Sequence, residues 1–121
     1  MILIVDDDDH ILDMLSGKLT EMGYSVRTAH ETIDAYRIVK DDSCRLMILD
    51  LNMPKINGAE FLLLMANEEV DVPVIVTASG IPDLTAEEMM DFPHVVAFQK
   101  KPYTQEDILA LIDKHAKTYD A

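Results

Sequence analysis

Four short runs of nearly unbroken hydrophobic residues punctuate the chain: Ile2–Val5, Leu46–Leu49, Val74–Val76 and Val95–Phe98. Each has strand length, and a run without polar alternation suits a strand buried on both faces of a parallel sheet. A fifth segment, Ser25–Ala29, sets Val26 beside Arg27 and Thr28 and predicts an edge strand. The intervening stretches repeat at helical spacing. Ile11, Leu15, Leu19 and Met22 fall on one helical face, and Ile108, Leu111, Ile112 and His115 fall on another. Ile33–Val39 and Ala59–Glu68 predict the second and third helices. Asp83–Asp91 predicts a fourth, apolar mainly through Met89 and Met90. Gly23 suits the end of the first helix, and Thr104 suits the N-cap of the last.

Strand and helix therefore alternate as βαβαβαβαβα. Repeated βα units imply an α/β fold, a doubly wound five-stranded parallel sheet with five helices on its two faces and right-handed crossovers. There is no internal repeat, low-complexity tract or Pro/Gly/Ser linker, so one domain is expected over residues 1–121, with any output device on another chain. The 49% hydrophobic content supports a core of ordinary size and excludes a mainly disordered chain. No apolar run approaches the ~18 residues of a membrane span. The start, Met1 to Asp6, has no basic region and meets a carboxylate too soon for a signal peptide. Cys44 is the single cysteine and fits a reducing, cytoplasmic setting. With 10 Lys+Arg against 23 Asp+Glu, the net charge of −13 argues against direct nucleic-acid binding. It suits a cation ligand or a basic partner surface.

In a doubly wound sheet, ligands bind beyond the carboxyl ends of the strands. The first strand runs into Asp6, Asp7, Asp8 and Asp9, and the third into Asp50. The fourth runs into Thr77 and Ala78, and the fifth into Lys100, Lys101 and Pro102. Clustered carboxylates repel one another, and a hard divalent cation relieves that repulsion. Oxygen ligands without His or Cys suit Mg²⁺. The alternative is that the acids cap the first helix, a role that falls mainly to Asp8 or Asp9. Asp50 follows a buried strand and can act as a nucleophile that forms an acyl phosphate, or it can cap the following loop. Lys101, before Pro102, can aim an ammonium at a phosphoryl oxygen with the bond cis or trans, or it can be a surface lysine. Thr77 can offer a hydroxyl to the same group, or it can simply suit a strand end.

Taken together, Asp6-Asp7, Asp50, Thr77 and Lys101-Pro102 resemble the receiver domain of two-component response regulators, of the chemotaxis-regulator kind. The segment Leu49-Asp50-Leu51-Asn52-Met53-Pro54-Lys55-Ile56-Asn57-Gly58 closely resembles that family's segment around the phospho-accepting aspartate, and the likeness covers essentially the whole chain. The resemblance implies a flavodoxin-like sheet of order 2-1-3-4-5. It implies that Asp50 accepts a phosphoryl group from a sensor histidine kinase, that Asp7 and Asp50 ligate Mg²⁺ directly, and that Asp6 acts through water. Asn52 would add its backbone carbonyl, and Thr77 and Lys101 would bind the phosphoryl oxygens. Phe98 matches the switch aromatic, Pro54 and Gly58 shape the loop after Asp50, and Ala78 leaves access to the site. Asn52 and Ser79 stand where the family tunes dephosphorylation. Phosphorylation would draw Thr77 inward and Phe98 after it, switching the face of the fourth helix, fifth strand and fifth helix toward a downstream effector or a linked output domain. A homodimer is among the assemblies left open. Such a domain promotes its own phosphorylation and dephosphorylation without being a classical enzyme.

The chain departs from the family at Met89-Met90-Asp91-Phe92-Pro93-His94, which lacks the usual Gly-Ala pair. Two rival readings remain. A phosphatase of the haloacid dehalogenase type would need a second acid where Asn52 stands. A receiver-like module that is not phosphorylated would have lost a key residue, and none is lost here.

Overall fold

A computed structural model describes residues 1–41, 43–52, 58–79, 91–92 and 94–118 of the chain. Its elements are β1 (Ile2–Val5), α1 (Asp9–Glu21), β2 (Val26–Ala29), α2 (Thr32–Asp41), β3 (Leu46–Asp50), α3 (Gly58–Asn67), β4 (Val74–Ala78), β5 (Val95–Lys100) and α4 (Gln105–Thr118). The predicted helix at Asp83–Asp91 lies outside the described residues except for Asp91, which stands in a turn. Pro54 also lies outside them. All five strands pair in parallel in the order β2-β1-β3-β4-β5, as the resemblance implies.

Side-chain alternation along the strands divides the core in two. Ile2 and Ile4, Leu46 and Ile48, and Ile75 pack with Leu12, Leu15 and Leu19 of α1 and Ile108, Ile112 and Ala116 of α4. Leu3 and Val5, Met47 and Leu49, and Val74 and Val76 pack with Ala35 of α2 and Phe61, Leu62 and Met65 of α3. β1, β3 and β4 are buried along their whole length, which explains their unbroken apolar sequences.

β2 is the edge strand its mixed sequence predicts, with Arg27 and Thr28 exposed. β5 pairs only with β4, as the order 2-1-3-4-5 implies, but it is not buried on both faces as its apolar run suggests: Val95 is buried and Val96, Ala97 and Phe98 are half-buried. Met22 also departs from the helical face assigned to it. It is the C-cap residue of α1 and is 45% exposed.

Capping fixes the helix ends. Asp8 caps α1, its Oδ1 accepting from the His10 N–H at 2.9 Å. At the other end Gly23 takes φ 96°. The Gly23 N–H donates to the Thr20 carbonyl and the Tyr24 N–H to the Leu19 carbonyl, each at 3.0 Å. That pair of bonds is the Schellman arrangement, and it needs the left-handed conformation glycine enters freely. Thr104 caps α4, its Oγ1 accepting from the Asp107 N–H at 3.1 Å.

His94, just ahead of β5, has φ 66°. Its carbonyl accepts from the Val74 N–H at 2.8 Å, which fixes the backbone at the entry to β5, and its Nδ1 lies 3.1 Å from the exposed Asp71 carboxylate. This is the stretch where a Gly-Ala pair is absent, and a branched-off side chain here holds a conformation glycine adopts at least cost. No helix among the described residues is long and apolar enough to cross a membrane.

Two stability outcomes follow from this packing. Leu15→Ala, at a fully buried site, costs about 2–5 kcal/mol in urea unfolding, whereas Leu63→Ala, half exposed on α3, shifts stability by less than about 0.5 kcal/mol. His94→Gly raises stability by roughly 0.5–1 kcal/mol by relieving the left-handed backbone; an unchanged or lower urea midpoint would show that the Asp71 contact outweighs the strain.

Candidate functional site

Chain parity carries past the ends of the strands. Asp50 is in phase with Leu46 and Ile48, and Thr77 is in phase with Ile75, so both lie on the face covered by α1 and α4. Asp50 and Thr77 are direct neighbours across β3 and β4. Asp6 continues β1, its N–H donating to the Ala29 carbonyl at 3.1 Å. Asp6 and Asp50 are each 2% exposed and Thr77 is 1% exposed, so the fold buries three polar side chains at the same end of the sheet.

Each buried carboxylate is held in the same way. One oxygen accepts from the backbone N–H two residues on: Asp6 Oδ1 from Asp8 at 2.9 Å, and Asp50 Oδ1 from Asn52 at 3.0 Å. The other oxygen faces one shared cation. Lys101 Nζ lies 3.0 Å from Asp6 Oδ2 and 3.2 Å from Asp50 Oδ2. Lys101 is itself anchored through its N–H to the Ala78 carbonyl at 2.7 Å, and the Lys101–Pro102 bond is cis. Lys100 is exposed, as a surface lysine should be.

The charges act on one another. Burial pushes the Asp6 carboxyl above its ordinary range; the Asp8 N–H and the Lys101 hydrogen bond oppose that rise, and the charge of Asp50 adds to it. For Lys101, burial works against the ammonium, but the Asp6 hydrogen bond and the Asp50 and Asp6 charges outweigh it, and the net shift is upward. The two partners thus move in the same direction. Burial wins at Asp6, the deeper group, and pairing wins at Lys101. Since Asp6 ionises later in the folded chain than in the unfolded one, stability is lost as pH rises through its folded pKa. At neutral pH its charge costs the fold stability, which a bound cation offsets.

Asp6, Asp7 and Asp50 each offer a carboxylate oxygen within 4.8 Å of the others, with Asp7 exposed. Three hard oxygen donors at that spacing, two already short of solvent, fit Mg²⁺. The structure thus brings Asp6, Asp7, Asp50, Thr77 and Lys101 to one place. It gives Asp8 the helix-capping role and pairs Asp9 with the His30 ring instead.

Asn52 and Ser79 are joined in a way their positions alone do not reveal. Asn52 Oδ1 accepts from the Ser79 N–H at 2.6 Å and from its hydroxyl at 3.3 Å, bridging the residues that follow β3 and β4. Phe98 is half-buried and packs into the core on the opposite face, beside the α2 and α3 residues. Tyr103 follows Lys101-Pro102 directly, and its hydroxyl is buried without a partner among the described residues.

Comparison with known proteins gives a consistent picture. The model of the family described as the response regulator receiver domain matches residues 2–113. Transcriptional regulatory protein GlrR of Escherichia coli (strain K12) is 33% identical over 114 residues, covering 93% of this chain and 25% of GlrR. Response regulator MprA of Mycobacterium avium (strain 104) is 29% identical over 110 residues, covering 90% of this chain and 47% of MprA. The chain therefore spans between a quarter and about half of the length of these relatives. A solved receiver domain from Clostridium thermocellum is similar in structure, with a TM-score of 0.82 and 25% identity over 97% of this chain and 94% of that one.

The site geometry sets one thermodynamic outcome. Mg²⁺ at ten times its dissociation constant stabilises the chain by about 1.4 kcal/mol against urea. Asp7→Ala and Asp50→Asn each lose most of that gain, while the same substitutions change the metal-free stability little or raise it. Equal stabilisation of all three proteins by Mg²⁺ would place the cation elsewhere.

Proposed function

Because the chain belongs to the response regulator receiver domains, whose general function is phosphorylation-based signalling, we propose that Asp50 is its phospho-acceptor. The observation that carries this reading is the buried Asp50 carboxylate, paired with Lys101 and gathered with Asp6 and Asp7. The donor is a phosphohistidine of a sensor histidine kinase. An Asp50 oxygen attacks phosphorus, the P–N bond breaks, and the imidazole nitrogen keeps the electron pair.

Phosphoryl transfer depends on positioning and charge neutralisation. The Asn52 N–H holds one Asp50 oxygen in place, which fixes the direction of the other. Lys101 then moves its ammonium from the carboxylates onto the phosphoryl oxygens, and Thr77, the cross-strand neighbour of Asp50, adds a hydroxyl donor. Asp7 and Asp50 would hold Mg²⁺ directly, with Asp6 through water and Asn52 through its backbone carbonyl. When bound, Mg²⁺ neutralises charge on the phosphoryl oxygens. The same groups let the domain promote both its own phosphorylation and its dephosphorylation.

The added charge of about −2 needs donors, and Thr77 moves to supply one. Phe98 follows from the far face of the sheet, since its cross-strand neighbour Val76 precedes Thr77. That movement alters the surface around β5 and shifts a two-state equilibrium toward binding an effector protein or a linked output domain. The cytoplasm is the compartment this reading implies.

Intact mass after incubation with acetyl phosphate and Mg²⁺ tests the assignment. One added phosphoryl group is expected in the wild type, and none in Asp50→Asn or without Mg²⁺. A phosphoryl group that persists in Asp50→Asn would move the acceptor to another residue.

A further inference from the structure

α3 carries more apolar surface than the sheet covers. Phe61, Leu62 and Met65 turn inward and are buried, yet Leu63 and Leu64 between them are exposed. A helix that only lies against a sheet needs one apolar stripe, so the run Phe61–Met65 wraps around more of α3 than packing uses. On the neighbouring helix α2, Ile33 is exposed in the same way. Among the described residues, these three and Met22 are the large apolar side chains left in solvent.

Ile33, Leu63 and Leu64 lie together. α2 and α3 pack against each other, and each links two parallel strands, so they run in the same direction. Two contacts set their relative height. The Tyr36 hydroxyl donates to Glu68 Oε2 at 2.6 Å, and the Lys40 ammonium lies 2.8 Å from the same oxygen. Leu64 stands one turn before Glu68, whose N–H donates to the Leu64 carbonyl at 3.1 Å. Ile33 stands one turn before Tyr36. One turn back from the Tyr36–Glu68 contact on both helices therefore brings Ile33 level with Leu64, with Leu63 beside it. The result is an apolar ridge across two helices, closed at one end by Tyr36, Lys40 and Glu68.

The surroundings of the ridge are acidic. Glu31, Asp34 and Asp41 on one helix and Glu60, Glu68 and Glu69 on the other stand against only Arg37 and Lys40. Both cations already face acids of this chain, Arg37 at 3.9 Å from Asp34 and Lys40 at 2.8 Å from Glu68. A second copy packed through the same face would set one acidic patch against another, since a two-fold interface is self-complementary. A basic partner is attracted instead.

We propose that the α2–α3 face docks a basic amphipathic helix of another polypeptide. Apolar residues of that helix at i, i+3, i+4 and i+7 cover Ile33, Leu63 and Leu64, and lysines or arginines beside them meet the surrounding acids. The surface differs from the one around β5, and the inference does not rest on Asp50 as phospho-acceptor.

Titration of the ¹⁵N-labelled chain with synthetic peptides of about 18 residues, followed by amide chemical shifts, tests this. One peptide carries leucines at helical spacing and lysines elsewhere. A second has the same composition with the spacing scrambled, and a third replaces the lysines with glutamates. The first is expected to shift the amides of Ile33, Leu63 and Leu64 and to bind about tenfold more tightly than either control. Leu63→Gln and Leu64→Gln are each expected to weaken it about three- to tenfold, with melting temperatures close to wild type because both side chains are exposed. Ile33→Gln, on the other helix, is expected to act alike. Equal binding of the scrambled peptide would overturn the proposal by reducing the attraction to net charge. Absent shifts at these three amides, or binding unchanged in all three variants, would overturn it as well. Wild-type dimers in sedimentation that become monomers in Leu63→Gln would assign the face to a second copy and overturn it too.

Discussion

Asp6 and Asp50 are buried side by side with a single ammonium between them, and the rest of the structure is arranged to sustain that. Two like charges out of water are costly unless each is paired and hydrogen-bonded. Here every supporting contact comes from a different strand end or turn. Lys101 arrives from β5, the Asp8 N–H from the start of α1, and the Asn52 N–H from the turn after β3. Asp8 serves twice, since its N–H holds Asp6 while its carboxylate caps α1. The first helix and the acidic site therefore share a hinge point, and neither can shift alone. The fully buried β1, β3 and β4 hold the strand ends in register beneath it.

The alternation of side chains gives the sheet a division of labour. The acids and Thr77 lie on the face of α1 and α4, while Phe98 lies in the core on the face of α2 and α3. Any influence of the site on Phe98 must pass through the sheet. The path is short, because β4 carries both Thr77 and Val76, and Val76 is paired with Phe98. Ala78, the next residue but one after Val76, accepts from the Lys101 N–H, so the last three residues of β4, Val76, Thr77 and Ala78, adjoin Phe98, Asp50 and Lys101 in turn.

Much of this was legible in the residues. Unbroken runs such as Leu46–Leu49 identified the strands because a parallel sheet buries both faces, and Arg27 and Thr28 marked β2 as an edge for the converse reason. β5 is less buried than the apolar run Val95–Phe98 suggests, because an edge strand lacks a second neighbour and hydropathy does not encode neighbour number. Met22 continued a helical period past the point where Gly23 turns the backbone, and the turn prevailed. The acids and Lys101 could be collected from the strand ends. Which carboxylate would be buried could not, because Asp6 and Asp7 are identical in chemistry and only packing separates them. The Asn52–Ser79 bridge and the Tyr103 hydroxyl, buried without a partner among the described residues, depend on loops meeting in space, for which one-dimensional spacing carries no signal.

The double pairing of Lys101 has a consequence for how ligands communicate. While the ammonium neutralises Asp6 and Asp50, it is withheld from any anion, and the carboxylates are withheld from any cation. A cation that takes the carboxylates releases the ammonium, and an anion that takes the ammonium releases the carboxylates. Each ligand therefore removes the competitor of the other, and linkage requires that the factor by which the first strengthens the second is the factor by which the second strengthens the first. One lysine between two acids makes the site a reciprocal exchanger of charge, cooperative without any movement of the backbone.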